Sequence, residues 1–114
     1  MAEIVEPKFL LLGRLQTTLD IQAEELKRFG RDAIPTNSRE VIKKHLDSTH
    51  VDFIVMGAGL ADPAREELVA FIRSIDADIP IHLLERTEDA NPAKLIAFAN
   101  EKAILFKVYE AAAR

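Results

Sequence analysis

The chain has no cysteine among its 114 residues. That excludes disulfides, a thiol nucleophile and a thiolate-bound metal. Long apolar runs are also missing. None nears the ~20 residues that cross a bilayer, so no membrane contact is expected. The opening MAEIVEPK lacks the basic-then-apolar layout of an export signal, and the cytoplasm is the expected address. Basic charge is in deficit: 15 Lys and Arg against 19 Asp and Glu give a net charge of −4. General nucleic-acid binders carry a basic face instead, and no basic patch interleaved with aromatics offers a platform for single strands. The three histidines, His45, His50 and His82, fall at no metal-ligand spacing. His82 interrupts an apolar run, which suits a hydrogen-bonded core or boundary residue. Glu24–Glu25, Glu66–Glu67 and Glu88–Asp89 read as solvated surfaces rather than a paired-carboxylate mechanism. Ser38, Ser48 and Ser74 have no nucleophile-elbow context. No metal, cofactor or enzymatic activity is expected.

What is present is an ordinary globular composition, 48% hydrophobic and 30% charged, in a chain just long enough to bury one core. No repeat, linker or low-complexity segment divides it, so residues 1–114 are expected to form a single domain. Short apolar runs alternate with longer amphipathic ones. FLLL (9–12) is a strand covered on both faces. Residues 15–29 place Leu15, Leu19, Ala23 (or Gln22 beside it), Leu26 and Phe29 at helical spacing, with Gly30 as the left-handed stop. DAIPT is a weak strand, and Pro35, which cannot donate a ladder hydrogen bond, puts it at a sheet edge. Asn37 and Glu40 have capping-box spacing ahead of a helix whose inward face carries Val41, Ile42, His45 and Leu46.

The segment VDFIVMGAGLADP (51–63) supplies a third strand, a glycine pair, and Asp62 and Pro63 as N-cap and first helical residue. Leu68, Phe71, Ile72 and Ile75 follow at helical spacing. IPIHLL (79–84) is a fourth strand, and Asn91–Pro92 repeats the helix-start device ahead of Leu95, Ile96, Phe98 and Ala99. AILF (103–106) reads as a fifth strand, or as a continuation of that helix. Such alternation implies a mostly parallel sheet in three layers, α/β and flavodoxin-like, with strand order 2-1-3-4-5. Ligands of such sheets gather beyond the carboxyl ends of the strands, where Gly13–Arg14 and Gly57–Leu60 should face each other.

On these residues the chain resembles the receiver domain of two-component systems. AIPTNSREVIKKHLDSTHVDFIVMGAGLADP is similar to the family's second strand, second helix and third strand, DIPIHLLE to its fourth strand, and AILFK to a fifth strand ending on lysine. The resemblance spans about residues 8–108 and rests on pattern and spacing. It implies an acidic pair after strand one, a phosphoacceptor aspartate after strand three, a hydroxyl after strand four and a lysine after strand five. Here Gly13 and Arg14 stand in the first positions, Gly57 (or Met56, one residue earlier) in the second, and Glu85 in the third. Only Lys107 matches. Phosphoryl transfer needs a metal to neutralise charge and an in-line oxygen nucleophile, and glycine supplies neither. The resemblance therefore implies a pseudo-receiver acting as a regulatory or protein–protein interaction module.

Two arrangements remain open for the vacated pocket. Glu85 could pair with Lys107 or Arg14 as a structural ion pair. Alternatively Arg14, Lys107 and the backbone N–H groups after Gly57 could hold an anion or a small molecule. The GAG of Gly57–Gly59 fits a tight turn, since a dinucleotide fingerprint would need a third glycine where Asp62 stands. The C-terminal segment after Lys107 is too short to form the long fifth helix of a receiver. That leaves uncovered apolar surface at Leu95, Ile96, Phe98, Phe106 and Tyr109, for which a homodimer is the expected remedy.

Overall fold

The computed structural model describes residues 6–48, 50–85 and 92–113. Four strands alternate with four helices in chain order: β1 (Lys8–Leu12), α1 (Gln16–Arg28), β2 (Asp32–Thr36), α2 (Arg39–Ser48), β3 (Phe53–Met56), α3 (Asp62–Ile75), β4 (Ile81–Leu83) and α4 (Pro92–Ala113). All strand pairings are parallel, in the order β2-β1-β3-β4. This is an α/β architecture compatible with a flavodoxin-like fold, with four strands rather than five among the described residues. Among the described residues, no helix is long and apolar enough to cross a membrane.

The alternation of side chains along β1 and β3 divides the core into two halves. Phe9, Leu11, Phe53 and Val55 point to one face, where Leu19 and Leu26 of α1 and Leu95, Ala99 and Ala103 of α4 cover them. Leu10, Leu12, Ile54 and Met56 point to the other, against Ile42 of α2 and Leu68 and Ile72 of α3. FLLL is therefore continuous in hydrophobicity because both faces of its strand are dry.

Local signals end most elements near their expected places. Gly30 adopts φ 75°. Its N–H donates to Lys27 O and that of Arg31 to Leu26 O, a Schellman closure of α1. Two helix starts move by one residue. Ser38, not Asn37, caps α2, with its Oγ accepting from Val41 N at 3.4 Å. Asn37 is drawn away because its amide donates to Arg14 O at 3.1 Å. In α3 the N-cap is Ala61, so Asp62 and Pro63 both lie inside the first turn. Asn91 lies outside the described residues.

The fifth strand is not formed. AILF belongs to α4, a helix of 22 residues, so neither a strand order ending in 5 nor a truncated final helix applies. From Ala93 to Ala113 the chain has no glycine or proline and is rich in alanine, so nothing stops a helix once begun. The run looked strand-like because α4 is apolar around much of its circumference. Its buried Leu95, Ala99 and Ala103 recur every four residues. At 1.5 Å per residue α4 is about 33 Å long, roughly twice the reach of a five-residue strand.

Candidate functional site

The loops that follow the parallel strands converge at their carboxyl ends. Gly13 is buried after β1, and a Cβ there would stand 2.9 Å from Leu19 Cδ2. Gly59 faces the neighbouring loop closely enough that a Cβ would lie 3.7 Å from Arg14 Cβ. Gln16 and Asn37 stitch the β1 and β2 loops together: Gln16 Nε2 donates to Pro35 O at 2.9 Å, and Gln16 Oε1 accepts from Asn37 N at 3.1 Å. Gly13–Arg14 and Gly57–Leu60 thus meet as the sequence implies, with the Arg14 and Glu85 side chains exposed at the rim.

Gly57 itself is structural. Its N–H donates to Leu12 O at 2.8 Å, extending the β1–β3 ladder, and Leu95 of α4 closes over it, with Cδ2 3.5 Å from the position of a Cβ. That amide is spent and cannot serve an anion.

Arg65, which sequence reasoning passed over, organises the mouth. Its side chain leaves the first turn of α3, is about nine-tenths buried, and donates from Nη2 to Gly57 O at 2.8 Å and Leu84 O at 2.6 Å. One guanidinium nitrogen therefore clamps the ends of β3 and β4, donating to a carbonyl that follows each strand. The signal was present: Arg65 sits three and seven residues before Leu68 and Ile72, a charge on the inward stripe of its helix.

Lys107 is not at the mouth. It lies on α4 at the amino end of the sheet, where its Nζ approaches Glu6 Oε2 at 3.1 Å. Glu6 Oε1 accepts from Arg31 Nη1 at 2.8 Å, and Arg31 Nε donates to Asn100 Oδ1 at 2.7 Å. The expected Glu85–Lys107 pair is replaced by this cluster, because placing 103–106 in a helix carries Lys107 along the helix axis and away from the strand ends. Asp52 organises the same amino end, accepting from Lys8 N at 2.9 Å and meeting His50 Nε2 at 2.6 Å.

His82 faces α4 from β4, edge-on to Phe53 at 5.6 Å. Burial and, secondarily, the nearby Lys102 ammonium hold its pKa below the usual 6.5. It is a boundary residue, in keeping with its place in an apolar strand.

The surface residues assigned from sequence separate. Leu95 is core, and Ile96, Phe98 and Phe106 pack partly buried against the same cluster, with Phe106 5.9 Å from Phe53. Tyr109 is exposed, together with Ile104, Leu105 and Val108, which were not singled out. An open depression of about 630 Å³ beside β2 is lined by both signs of charge, including Glu6, Asp20, Glu24, Lys27, Arg31 and Asp32. Its best-placed cation, Arg31, is already paired.

Chemically, the mouth offers an exposed guanidinium, a buried one and an exposed carboxylate. Among the described residues, no group of three or more His, Cys, Asp or Glu is placed to hold a metal ion. In comparisons with known proteins, no family model matches the chain, and no curated protein matches it either.

Proposed function

We propose that the chain is a receiver-like regulatory domain that acts by binding a protein partner and performs no phosphoryl transfer. Gly13, Arg14 and Gly57 at the strand mouth support the second half of this reading, since none can hold Mg²⁺ or attack a phosphoryl group. The observation that carries the first half is the outer edge of β4. Ile54 N donates to Pro80 O and Leu84 N to Met56 O, both at 2.9 Å. Pro80, His82 and Leu84 thus face β3, and Ile81 and Leu83 turn their N–H and C=O groups away from it, where no further strand pairs among the described residues. The opposite edge is guarded: Pro35 has no N–H, and Gln16 occupies its carbonyl. An extended segment from a partner can add a strand at β4, the mode known as β-augmentation.

Extended peptides selected from a display library against the domain provide the test. Leu83→Pro deletes one outward N–H while leaving the hydrogen bonds to β3 in place, as Pro35 does naturally on β2. Selected peptides should lose at least tenfold in affinity for this variant at an unchanged fold. Peptides that bind both proteins equally would defeat the reading.

A second reading follows from Arg14, whose exposed guanidinium stands beside Gly59 without a carboxylate partner among the described residues. Here the mouth would bind a small anion. Inorganic phosphate or a nucleotide should then raise the melting temperature, and Arg14→Met should abolish the rise. No rise across nucleotides and phosphorylated metabolites would remove this reading.

A further inference from the structure

The last turns of α4, after Lys107, run past the amino ends of the strands. Leu95 packs over Gly57 at the carboxyl ends of the strands, and Lys107 reaches Glu6, just ahead of β1. The thirteen or so residues between them cover about 20 Å, which uses up the length of the strands. Beyond that point no strand or helix among the described residues lies beneath the helix. On its outer side Ile104, Leu105, Val108 and Tyr109 are 45, 40, 58 and 73% exposed, and Ala112 continues the same stripe at helical spacing. Together these side chains present on the order of 400 Å² of apolar surface, the size of a functional patch on a monomer.

We propose that two copies of the chain pair through this stripe, α4 against α4 in antiparallel orientation. Area favours a second copy as the occupant. Self-pairing removes about 800 Å² of apolar surface, and a homodimer interface is about 65% apolar, so the whole contact amounts to about 1,200 Å². That reaches the lower bound of stable interfaces. Charge favours the orientation. Lys107 is turned aside to Glu6, and Glu110 points about 200° away from Val108 around the helix. Of the two charged residues one turn before Leu105, Lys102 lies over the Phe98 ring and Glu101 is exposed beside the stripe. A parallel pair would set Glu101 against its copy and align the two helix dipoles. An antiparallel pair centred near Val108 separates the two carboxylates by about 20 Å and opposes the dipoles. A two-fold contact of this kind closes on itself and leaves no stripe uncovered. It does not involve β4, so it stands or falls separately from strand addition there.

The test is light scattering over a concentration range, up to high micromolar, on the full chain. The mass of two chains is expected, falling to one on dilution. Val108→Glu places two carboxylates at the centre of the contact and should raise the dissociation constant on the order of a hundredfold. Its melting curve should stay that of a folded protein, because Val108 is exposed and belongs to neither core cluster. Ile21→Glu, at another exposed apolar position on α1, should leave the dimer intact. The absence of native cysteine allows a second readout: Val108→Cys should form an intermolecular disulfide under mild oxidation, and Glu24→Cys should not. A wild-type mass of one chain at every concentration overturns the proposal. So does a dimer that resists Val108→Glu, or one that dissociates equally with Ile21→Glu.

Discussion

At the level of single residues, His82 gives the domain a calculable pH dependence. Burial and Lys102 lower its pKa in the folded chain, so the unfolded chain takes up the proton more readily. The stability this provides is complete above pH 6.5 and is lost as pH falls below it toward the depressed value. Urea midpoints should therefore decline on going from pH 7.5 to 5.5, and His82→Gln should flatten that decline. An NMR titration placing the His82 pKa at or above 6.5 would contradict this. The glycines of the mouth make a second pair of expectations. Gly13→Ala drives a methyl against buried Leu19 at 2.9 Å and should cost about 1–2 kcal/mol through overpacking. Gly59→Ala meets only an ordinary contact and has no positive φ to strain, so its cost should stay within about 0.5 kcal/mol. Chemical denaturation of both variants separates a structural glycine from an incidental one.

Among elements, α4 is held at two ends by different physics. At the mouth its hold is packing, Leu95 on Gly57. At the amino end of the sheet it is the cluster of Glu6, Arg31, Asn100 and Lys107. Removing the carboxylate with Glu6→Gln leaves Arg31, which is largely buried, without its charge partner. A loss of about 1–2 kcal/mol is expected, more than an exposed surface pair would give. Hydrogen exchange should quicken in the C-terminal half of α4 before it does in β1 or β3. Uniform exchange across the chain would show that the cluster does not dock the helix. Glu85 and Lys107, at opposite ends of the strands, should act independently: the effects of Glu85→Gln and Lys107→Met should add within about 0.5 kcal/mol.

For the molecule as a whole, the loops at the carboxyl ends of the strands carry two buried glycines and two arginines, one exposed and one used as a clamp. Incubation with acetyl phosphate and Mg²⁺ should leave the intact mass unchanged. One stoichiometric phosphoryl adduct would refute the reading of a site without phosphoryl transfer. The two proposed contact surfaces are the β4 edge and the α4 stripe. They differ in kind. The edge offers backbone hydrogen bonds and suits an extended partner, and the stripe offers apolar area and suits a second helix.

Much of this architecture was written in local sequence. The two-faced burial of FLLL, the stop at Gly30 and the edge strand marked by Pro35 all follow from properties that act within a few residues, whereas the meeting of Gly13–Arg14 with Gly57–Leu60 follows only from the strand order. Hydrophobic period, left-handed glycine and a missing N–H need no knowledge of the rest of the chain. AILF could not be decided in that way, because four consecutive apolar residues fit a buried strand or an all-round apolar helix equally well. Only the packing of Leu95, Ala99 and Ala103 on one face of the sheet chose the helix. That choice took Lys107 from the mouth to Glu6, opened the edge of β4 and exposed Ile104, Leu105, Val108 and Tyr109 to water. Arg65 lies between the two cases: its place on an inward stripe was legible, but its partners, the carbonyls of Gly57 and Leu84, come from strands that only the folded sheet brings side by side.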